Sequence, residues 1–273
     1  MTTAASRPPR TAGAVHPVPA WLWLPAGTAV VVLVLPLVVL LARTPWPDAI
    51  TLLSSSTVRD AFALSLWTAT TATAVSALLG VPLAWWLGTG TSRGQGLVRL
   101  LVTIPLVLPP VVGGAALLFT YGRGAPVGSL VWNLAGVTVP FTTAAVVIAQ
   151  VFVAMPFLVV SLEGAFRARG VLLEEAALTL GGDPWTVFRR VTLPGLRPAL
   201  LGGIALCWAR AVGEFGATIT FAGSIRSVTQ TLPVAIDELL GHDLDAAMVA
   251  SSLMIGLAVV VLVLLRGRWL GAR

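Results

Sequence analysis

Charged residues are scarce in this chain, and one of the two common basic types is missing. Only 10% of the 273 residues are Asp, Glu, Lys or Arg, whereas 57% are hydrophobic; about a quarter of the residues of an ordinary soluble domain are charged. So few charges cannot cover the surface of a soluble protein, but a membrane protein needs few because lipid solvates its outer surface. Every basic residue is Arg, which excludes a P-loop lysine, a Schiff-base lysine and a Ser-Lys dyad. If the function of this chain involves ATP, another subunit must bind it.

Cysteine and histidine are also rare. Cys207 is the single cysteine and lies in an apolar run, so no intrachain disulfide can form and we expect a small side chain of the core. His16 and His242 are too few and too far apart for a metal site. We therefore predict no catalytic residue, no metal site and no cofactor bound by this chain. The net charge of +6 would also fit nucleic-acid binding, but the arginines lie beside apolar segments and no basic patch with interleaved aromatic residues occurs, so no nucleic-acid partner is expected.

Long apolar segments are abundant. A membrane-spanning helix needs about 20 mostly apolar residues, and six segments qualify, which predicts an all-α polytopic membrane protein with six transmembrane helices. The first segment is long and is not clearly followed by a small-x-small cleavage site, so we expect it to be retained as a helix. The six are Trp21–Ala42, Ala61–Gly88, Leu97–Tyr121, Val137–Leu162, Pro198–Phe221 and Ala246–Leu265.

The distribution of arginine predicts the orientation of the chain. Cytoplasmic loops of membrane proteins carry an excess of Lys and Arg. With the N terminus inside the cell, twelve arginines are cytoplasmic, four lie in outer loops, and Arg210 lies within a span. We therefore predict an N-in/C-in, multi-pass membrane protein. The cytoplasmic set is Arg7, Arg10, Arg93, Arg99, Arg167, Arg169, Arg189, Arg190, Arg197, Arg266, Arg268 and Arg273, and the outer set is Arg43, Arg59, Arg123 and Arg226.

Small residues and prolines within the spans predict closely packed, kinked helices. Runs such as Thr68–Gly80 and Gly113–Ala116 let helices approach closely in lipid. Prolines kink spans and are tolerated where neighbouring groups satisfy the freed backbone. Such a bundle suits a protein that changes conformation. The prolines concerned are Pro36, Pro82, Pro105, Pro109, Pro110 and Pro156.

The longest predicted cytoplasmic loop, Glu163–Arg197, breaks the apolar pattern. Its periodicity predicts a short helix over about 170–180, which Gly181-Gly182 ends. Asp183-Pro184 supplies an N-cap and a first residue for a second helix, which Leu193-Pro194 is expected to stop. The loop can be interpreted as an amphipathic segment resting on lipid headgroups or as a docking element for a cytoplasmic partner, and the residues alone leave both readings open.

The spacing within this loop resembles the EAA motif of ABC-importer permeases. Glu175-Ala176-Ala177 is followed after three residues by Gly181, after nine more by Val191 and after one more by Leu193-Pro194; the family usually has Ile at the position of Val191. The resemblance implies that the loop is the coupling helix between spans four and five, which inserts into a cleft of a separate ATPase subunit. The residues implied at this contact are Glu174, Glu175, Ala176, Ala177, Gly181, Leu193 and Pro194.

The resemblance covers roughly residues 58–266 and implies the type I permease fold. Residues 1–20 have no counterpart in the family, and their Pro, Ala and Arg content predicts a disordered cytoplasmic N terminus. The rest of the chain is then a first transmembrane helix and outer loop at 21–57, the permease domain at 58–266 and a cytoplasmic tail at 267–273. The resemblance also implies a homodimer in a bacterial cytoplasmic membrane, a dimer of ATPase subunits that binds ATP-Mg, and an extracytoplasmic oxyanion-binding protein. The chain itself is then a transport subunit and not an enzyme.

Two further stretches resemble the molybdate branch of this family. They are Ile104–Gly128 and Ala209–Ile236, and Thr229–Pro233 within the second is also molybdate-like. Sulfate permeases share the Arg-Ala-x-Gly-Glu frame but usually continue with Ser-Val-Val instead of Ala-Thr-Ile-Thr. Family members more often have Asn at the position of Ser224, and commonly Pro near Arg226. The resemblance implies translocation of molybdate by alternating access, with tungstate and sulfate as alternatives.

Arg210 and Glu214 are the charged pair expected inside the membrane. They are four residues apart on the fifth predicted span, so we interpret them as an internal ion pair; the alternative is that Arg210 meets a passing oxyanion. Apart from Glu214 the spans are almost free of acids, which would repel a dianion. The constriction of the pathway is expected between Pro109 and Leu117 and between Phe215 and Thr220.

Two other classes of function fit the sequence poorly. A secondary transporter would show inverted repeats and a charged relay at the midplane, and neither is visible. An intramembrane enzyme would need metal ligands, a Ser-His pair or paired carboxylates within the membrane, but both histidines lie outside the predicted spans.

Overall fold

The computed structural model describes residues 19–90, 92–170 and 172–269. Residues 1–18 of the predicted N-terminal segment and residues 270–273 of the predicted tail lie outside this part of the chain. Every regular element in the described residues is helical, which confirms the all-α class. Besides two 3-10 turns and one π turn, the helices are α1 (Trp23–Arg43), α2 (Ala49–Ser54), α3 (Ser56–Thr89), α4 (Gln95–Val107), α5 (Pro110–Tyr121), α6 (Pro126–Ala135), α7 (Thr143–Arg169), α8 (Leu172–Thr179), α9 (Pro184–Val187), α10 (Leu193–Val212), α11 (Gly216–Phe221), α12 (Leu232–Leu239) and α13 (Leu244–Trp269).

The chain divides into two units, residues 1–43 and 44–273. In the first unit, α1 has 21 residues, and a helix of that length extends about 30 Å, enough to cross the hydrocarbon core of a bilayer. The second unit contains helices α2 to α13.

Five helical segments in the described part of the chain are long and apolar enough to cross a membrane. They are α1, α3, α7, the run Pro184–Val212 and the part of α13 from Leu244 to Val263. A sixth is obtained when α4 and α5, which bend by 117° at their junction, are counted as one broken span. The predicted number of six spans is thus reached if α4 and α5 together form one broken span.

The third predicted span, Leu97–Tyr121, is not the continuous helix that was expected. α4 ends before Leu108, and both Leu108 and Pro109 are extended, with ψ values of 136° and 132°, because a residue that precedes proline avoids the α region. Pro109 and Pro110 also lack the N–H that would continue the helical hydrogen bonds. The double proline therefore ends α4 and starts α5 in a new direction.

The fourth and fifth spans differ from their predicted boundaries. α7 begins after Thr142, whose Oγ1 accepts a hydrogen bond from the N–H of Ala145 at 3.2 Å. It then continues through charged residues to Arg169 instead of ending at Leu162. The fifth span ends at Val212 and is followed by the separate helix α11, so the predicted helix to Phe221 is also interrupted.

Small residues bring three long helices together in the second unit. A Cβ atom added to Gly80 of α3 would lie 3.2 Å from Val159 of α7, and one added to Gly203 of α10 would lie 3.0 Å from Leu158. This confirms the close approach predicted for the small residues of α3. The fully buried centre of this packing includes Ala69, Ala72, Ala154, Leu158, Val159, Cys207 and Ala211, which places the single cysteine in the core as expected.

Candidate functional site

The first half of the predicted docking loop is helix α8, closed by a glycine turn. α8 spans Leu172–Thr179, slightly shorter than predicted. The N–H of Gly181 donates to the carbonyl of Leu178 at 3.0 Å, and the N–H of Gly182 donates to that of Ala177 at 3.0 Å, which together form a Schellman motif. Gly181 has a φ of +87°, a left-handed conformation that costs other residues about 1–2 kcal/mol. Glycine at this position therefore determines how α8 ends.

Asp183 starts the next helix, as its position before Pro184 predicts. Its Oδ1 accepts hydrogen bonds from the backbone N–H groups of Trp185 at 3.0 Å and Thr186 at 3.1 Å, which are unpaired donors of the first helical turn. The hydroxyl of Thr186, followed by the backbone N–H groups, lowers the pKa of the Asp183 carboxyl below its ordinary value of 3.8. The cap therefore stays charged at neutral and mildly acidic pH.

The second half of the loop runs into the membrane without a break. α9 is followed by a π-helical turn over Phe188–Thr192 and then directly by α10, so the prediction that Leu193-Pro194 stops the helix is wrong. Pro194 lies just after the π turn, and the helix passes through it although proline cannot donate the next intrahelical hydrogen bond. The ring of Phe188 stacks on that of Trp185, with centroids 5.8 Å apart, and makes a tilted contact with Trp85, with centroids 5.2 Å apart. The second half of the loop and the fifth span thus form one continuous helical run, Pro184–Val212.

Arg169, Glu174 and Thr192 form a cluster that we call the loop anchor. Nη1 and Nη2 of Arg169 donate to the carbonyls of Thr192 and Val191 at 2.6 Å and 2.7 Å. Oγ1 of Thr192 donates to Oε1 of Glu174 at 3.0 Å, and Nη2 of Arg169 lies 3.8 Å from the same oxygen. Gly195 leaves the space that the guanidinium fills, because a Cβ there would overlap Nη1 of Arg169. The anchor joins the end of α7, the helix α8 and the π turn.

The two acids of α8 face in different directions. The side chain of Glu174 is 21% exposed and belongs to the loop anchor, whereas Glu175 is exposed. Ala176 beside it is also exposed, and Ala177 is partly buried. The exposed face of α8 therefore presents one carboxylate, one small residue and several large apolar side chains. The apolar side chains are Leu172, Leu173 and Leu180, with 78%, 60% and 88% of their surface exposed.

A second charged cluster lies at the end of α7 and was not among the predicted sites. Glu163, predicted to begin the loop, is part of α7, and its side chain is only 8% exposed. Its Oε1 lies 2.6 Å from Nε of Arg99 and 3.1 Å from Nη2 of Arg167. The spacing of Glu163 and Arg167 would have indicated one of these contacts. The contact with Arg99 joins α4 to α7 and depends on the tertiary fold.

Arg210 and Glu214 lie together at the end of α10. Nη1 of Arg210 is 2.6 Å from Oε2 of Glu214, and the two side chains are 28% and 1% exposed. Oε1 of Glu214 accepts a hydrogen bond from the N–H of Ala217 at 2.8 Å, so Glu214 also joins α10 to α11. Both oxygens of Glu214 have partners. Among the described residues, Nε and Nη2 of Arg210 have no hydrogen-bond acceptor.

A cavity of about 150 Å³ lies beside Arg210. Its walls come from the bend between α4 and α5 and from the middle of α7. Arg210 is the only charged side chain among the described residues that line it. The other lining residues are Pro105, Leu106, Leu108, Pro109, Pro110, Gly113, Phe152, Val153 and Phe157.

The two stretches in which a constriction is predicted pack against each other as α5 and α11. A Cβ on Gly114 would lie 2.7 Å from Cβ of Thr220 and 2.8 Å from the carbonyl oxygen of Ala217. A Cβ on Gly216 would lie 2.6 Å from Cβ of Pro110. Only glycine permits these contacts, so the start of α5 and the whole of α11 form one packed layer next to Arg210.

The chain is similar to known transport proteins along most of its length. Residues 80–272 match the family described as binding-protein-dependent transport system inner membrane component. The molybdenum transport system permease protein ModB of Mycobacterium tuberculosis is 45% identical over 90% of this chain and 94% of its own length. The sulfate transport system permease protein CysW of Escherichia coli is 37% identical over 74% of this chain and 69% of its own length.

Solved structures show the same fold at low sequence identity. A chain of the methionine ABC transporter MetNI in an inward-facing conformation matches with a TM-score of 0.60 and 18% identity, over 78% of this chain and 95% of its own. A chain of a bacterial alginate ABC transporter, in complex with a periplasmic protein bound to an alginate pentasaccharide, matches with a TM-score of 0.62 and 16% identity, over 91% and 92%.

Proposed function

Because the chain belongs to the family of inner membrane components of binding-protein-dependent transport systems, we propose that it is the permease subunit of a molybdate importer. In this proposal it translocates molybdate by alternating access, driven by ATP hydrolysis on a separate subunit. The observation that supports molybdate as the substrate is the 45% identity to a molybdenum permease along nearly the whole of both chains.

Sulfate is the second candidate substrate. The sulfate permease is also similar, at 37% identity, but the match covers less of each chain. The segment Ala217-Thr218-Ile219-Thr220, which distinguishes this chain from sulfate permeases, forms most of α11 and packs on α5 next to Arg210. The difference from the sulfate branch thus falls close to the intramembrane charge, which favours molybdate.

We propose that the exposed face of α8 is the contact with the ATPase subunit. Leaving the large apolar side chains of this face exposed to water costs free energy. A partner that covers them would remove that cost. Glu175 is exposed and available to a basic group of the partner, whereas Glu174 is occupied in the loop anchor. We therefore assign the intersubunit contact to Glu175 and Ala176, and the internal support of α8 to Glu174.

Force would pass from α8 to the membrane through two connections. The Schellman turn at Gly181 and the loop anchor hold α8 against the π turn. The π turn continues into α10, whose last turn carries Arg210. A movement of α8 with its partner would therefore shift α10 as a unit, and a two-state change of the bundle would follow if the partner binds the two states differently.

The complete importer would contain two copies of this chain, a dimer of ATPase subunits that binds ATP-Mg, and an extracytoplasmic oxyanion-binding protein. The N-in orientation would place α8 on the side of the ATPase, because the cytoplasmic segments then hold the excess of arginine. No cofactor is assigned to this chain.

The proposal is tested by the ATPase activity of the complex reconstituted in proteoliposomes with its ATPase and binding protein. Molybdate, tungstate and sulfate are supplied at equal concentrations. We expect molybdate to stimulate hydrolysis and Glu175→Arg to abolish the stimulation, while Arg189→Gln, which changes another exposed charge of the same loop, has little effect. Stimulation by sulfate alone would reassign the substrate, and failure of this chain to associate with any ATPase would refute the coupling role of α8.

A further inference from the structure

We propose that the cavity beside Arg210 is a transient binding site for the translocated oxyanion, with the guanidinium of Arg210 as its anion-binding group. The inference rests on the proposed function as an oxyanion importer and adds to it a position within the membrane. The starting observation is that Arg210 has N–H groups that Glu214 does not use.

Both oxygens of Glu214 already have a partner, whereas Arg210 has donors that are not used by Glu214. One oxygen of Glu214 binds Arg210 and the other accepts the N–H of Ala217, and the side chain is 1% exposed. An arginine carries five N–H donors, and the closest contact with Glu214 is made by Nη1. Among the described residues Nε and Nη2 have no hydrogen-bond acceptor, and the side chain, which lines the cavity, is 28% exposed. The pair therefore fixes Arg210 in place and leaves donors for an anion.

The rest of the cavity favours an anion over a cation. Its other lining residues are uncharged, and most are apolar, so the attraction of the guanidinium is screened less than in water. The start of α5 lines the same space through Pro109, Pro110 and Gly113, and the N-terminal end of a helix carries a partial positive charge. Broken helices present their ends to substrate in other membrane transporters.

The size and composition of the cavity suit brief occupancy. A volume of about 150 Å³ is room for about five water molecules at ~30 Å³ each, enough for a tetrahedral oxyanion that keeps part of its hydration. A single arginine without a cage of further donors would attract a dianion but release it easily. This is what a pathway needs, because a tightly held anion would not leave.

The planar guanidinium of arginine makes it possible to distinguish a substrate contact from a purely structural role by substitution. Arginine binds an oxyanion through two parallel N–H groups, whereas lysine offers a single point charge. Arg210→Lys keeps the charge opposite Glu214, so a structural ion pair would survive it. A site that uses the planar guanidinium of Arg210 for the anion would not.

The experiment measures labelled molybdate and sulfate transported per ATP hydrolysed in proteoliposomes of the whole complex. For Arg210→Lys we expect normal assembly, at least threefold less molybdate per ATP and a changed ratio of molybdate to sulfate. A second variant, Arg210→Gln with Glu214→Gln, removes both charges and so avoids an unpaired buried carboxylate; we expect it to transport at least tenfold less per ATP. Arg59→Gln, which changes an exposed arginine that also pairs with a neighbouring acid, serves as the control and should match the parent.

Parent-like transport and selectivity in Arg210→Lys, or parent-like transport per ATP in the double variant, would overturn the inference. A parent complex that transports neither molybdate nor sulfate would instead refute the proposed function, so the two failures can be told apart.

Discussion

Removal of Arg169 is the sharpest test of the loop anchor. In Arg169→Met, two hydrogen bonds of 2.6 Å and 2.7 Å to backbone carbonyls are lost, and the ion contact with Glu174 is lost as well. A hydrogen bond that involves a charged group contributes about 1.5–3 kcal/mol, and the Arg169 side chain is only 16% exposed, so screening by water is limited. Allowing for the packing that methionine retains, we expect the contact between the end of α7 and the π turn to lose about 3 kcal/mol. Helix α8, which Thr192 of the π turn holds through Glu174, should lose only part of its support.

This loss should appear as local opening of the π turn and the start of α10. A difference of 1.4 kcal/mol corresponds to a factor of ten in an equilibrium constant, so about 3 kcal/mol predicts roughly 100-fold faster hydrogen exchange of the amides of residues 188–196, with a smaller increase in α8. The measurement is hydrogen–deuterium exchange on the purified chain in detergent, with mass-spectrometric peptides from α8 and α10. Arg189→Met is the matched control because Arg189 lies in the same loop and is exposed. If exchange of residues 188–196 in Arg169→Met stays within threefold of the parent, Arg169 does not hold the π turn.

Three further substitutions test other parts of the structure. Gly181→Ala forces a side chain into the left-handed region and should cost α8 about 1 kcal/mol, seen as reduced ATPase stimulation with unchanged order of anion preference. Because hydrogen bonds lower the folded-state pKa of Asp183, its contribution is complete above the unfolded value of about 3.9 and disappears as the pH falls through the lower folded value. Asp183→Asn should therefore flatten the decrease in the thermal midpoint of the purified chain below about pH 4, and an unchanged profile would contradict the cap. Gly114→Ala should separate α5 from α11 and cost about 1–3 kcal/mol, read as a lower thermal midpoint, whereas Gly124→Ala, where a Cβ meets nothing within 4 Å, should not.

The sequence predicted the number of spans but not the breaks within them. Length and apolar content identify a span because the bilayer thickness is fixed, and that part of the prediction is confirmed. The bend at Pro109-Pro110 was readable in principle, since two consecutive prolines remove two N–H groups and push the preceding residues out of the α region. The extension of α7 to Arg169 was not, because the buried carboxylate of Glu163 is paired with Arg99 on another helix as well as with Arg167 on α7.

The local chemistry of the loop was predicted better than its connections. The end of α8 at Gly181-Gly182 and the cap by Asp183 follow from conformational preferences of single residues, and both are present. The different orientations of Glu174 and Glu175 depend on the position of Thr192, eighteen residues away from Glu174. The continuation through Leu193-Pro194 depends on a π turn, for which the sequence offered no clear signal.

The continuous helical run from Pro184 to Val212 also acts as a lever arm. Its 29 residues extend about 40 Å at the rise of an α-helix, with the docking loop at one end and Arg210 at the other. A tilt of about 5° over that length moves the far end by about 3.5 Å, comparable to the N···O distance of an ion pair. If the π turn and Pro198 transmit the tilt without bending, a small rotation of the loop becomes a displacement large enough to change what Arg210 touches.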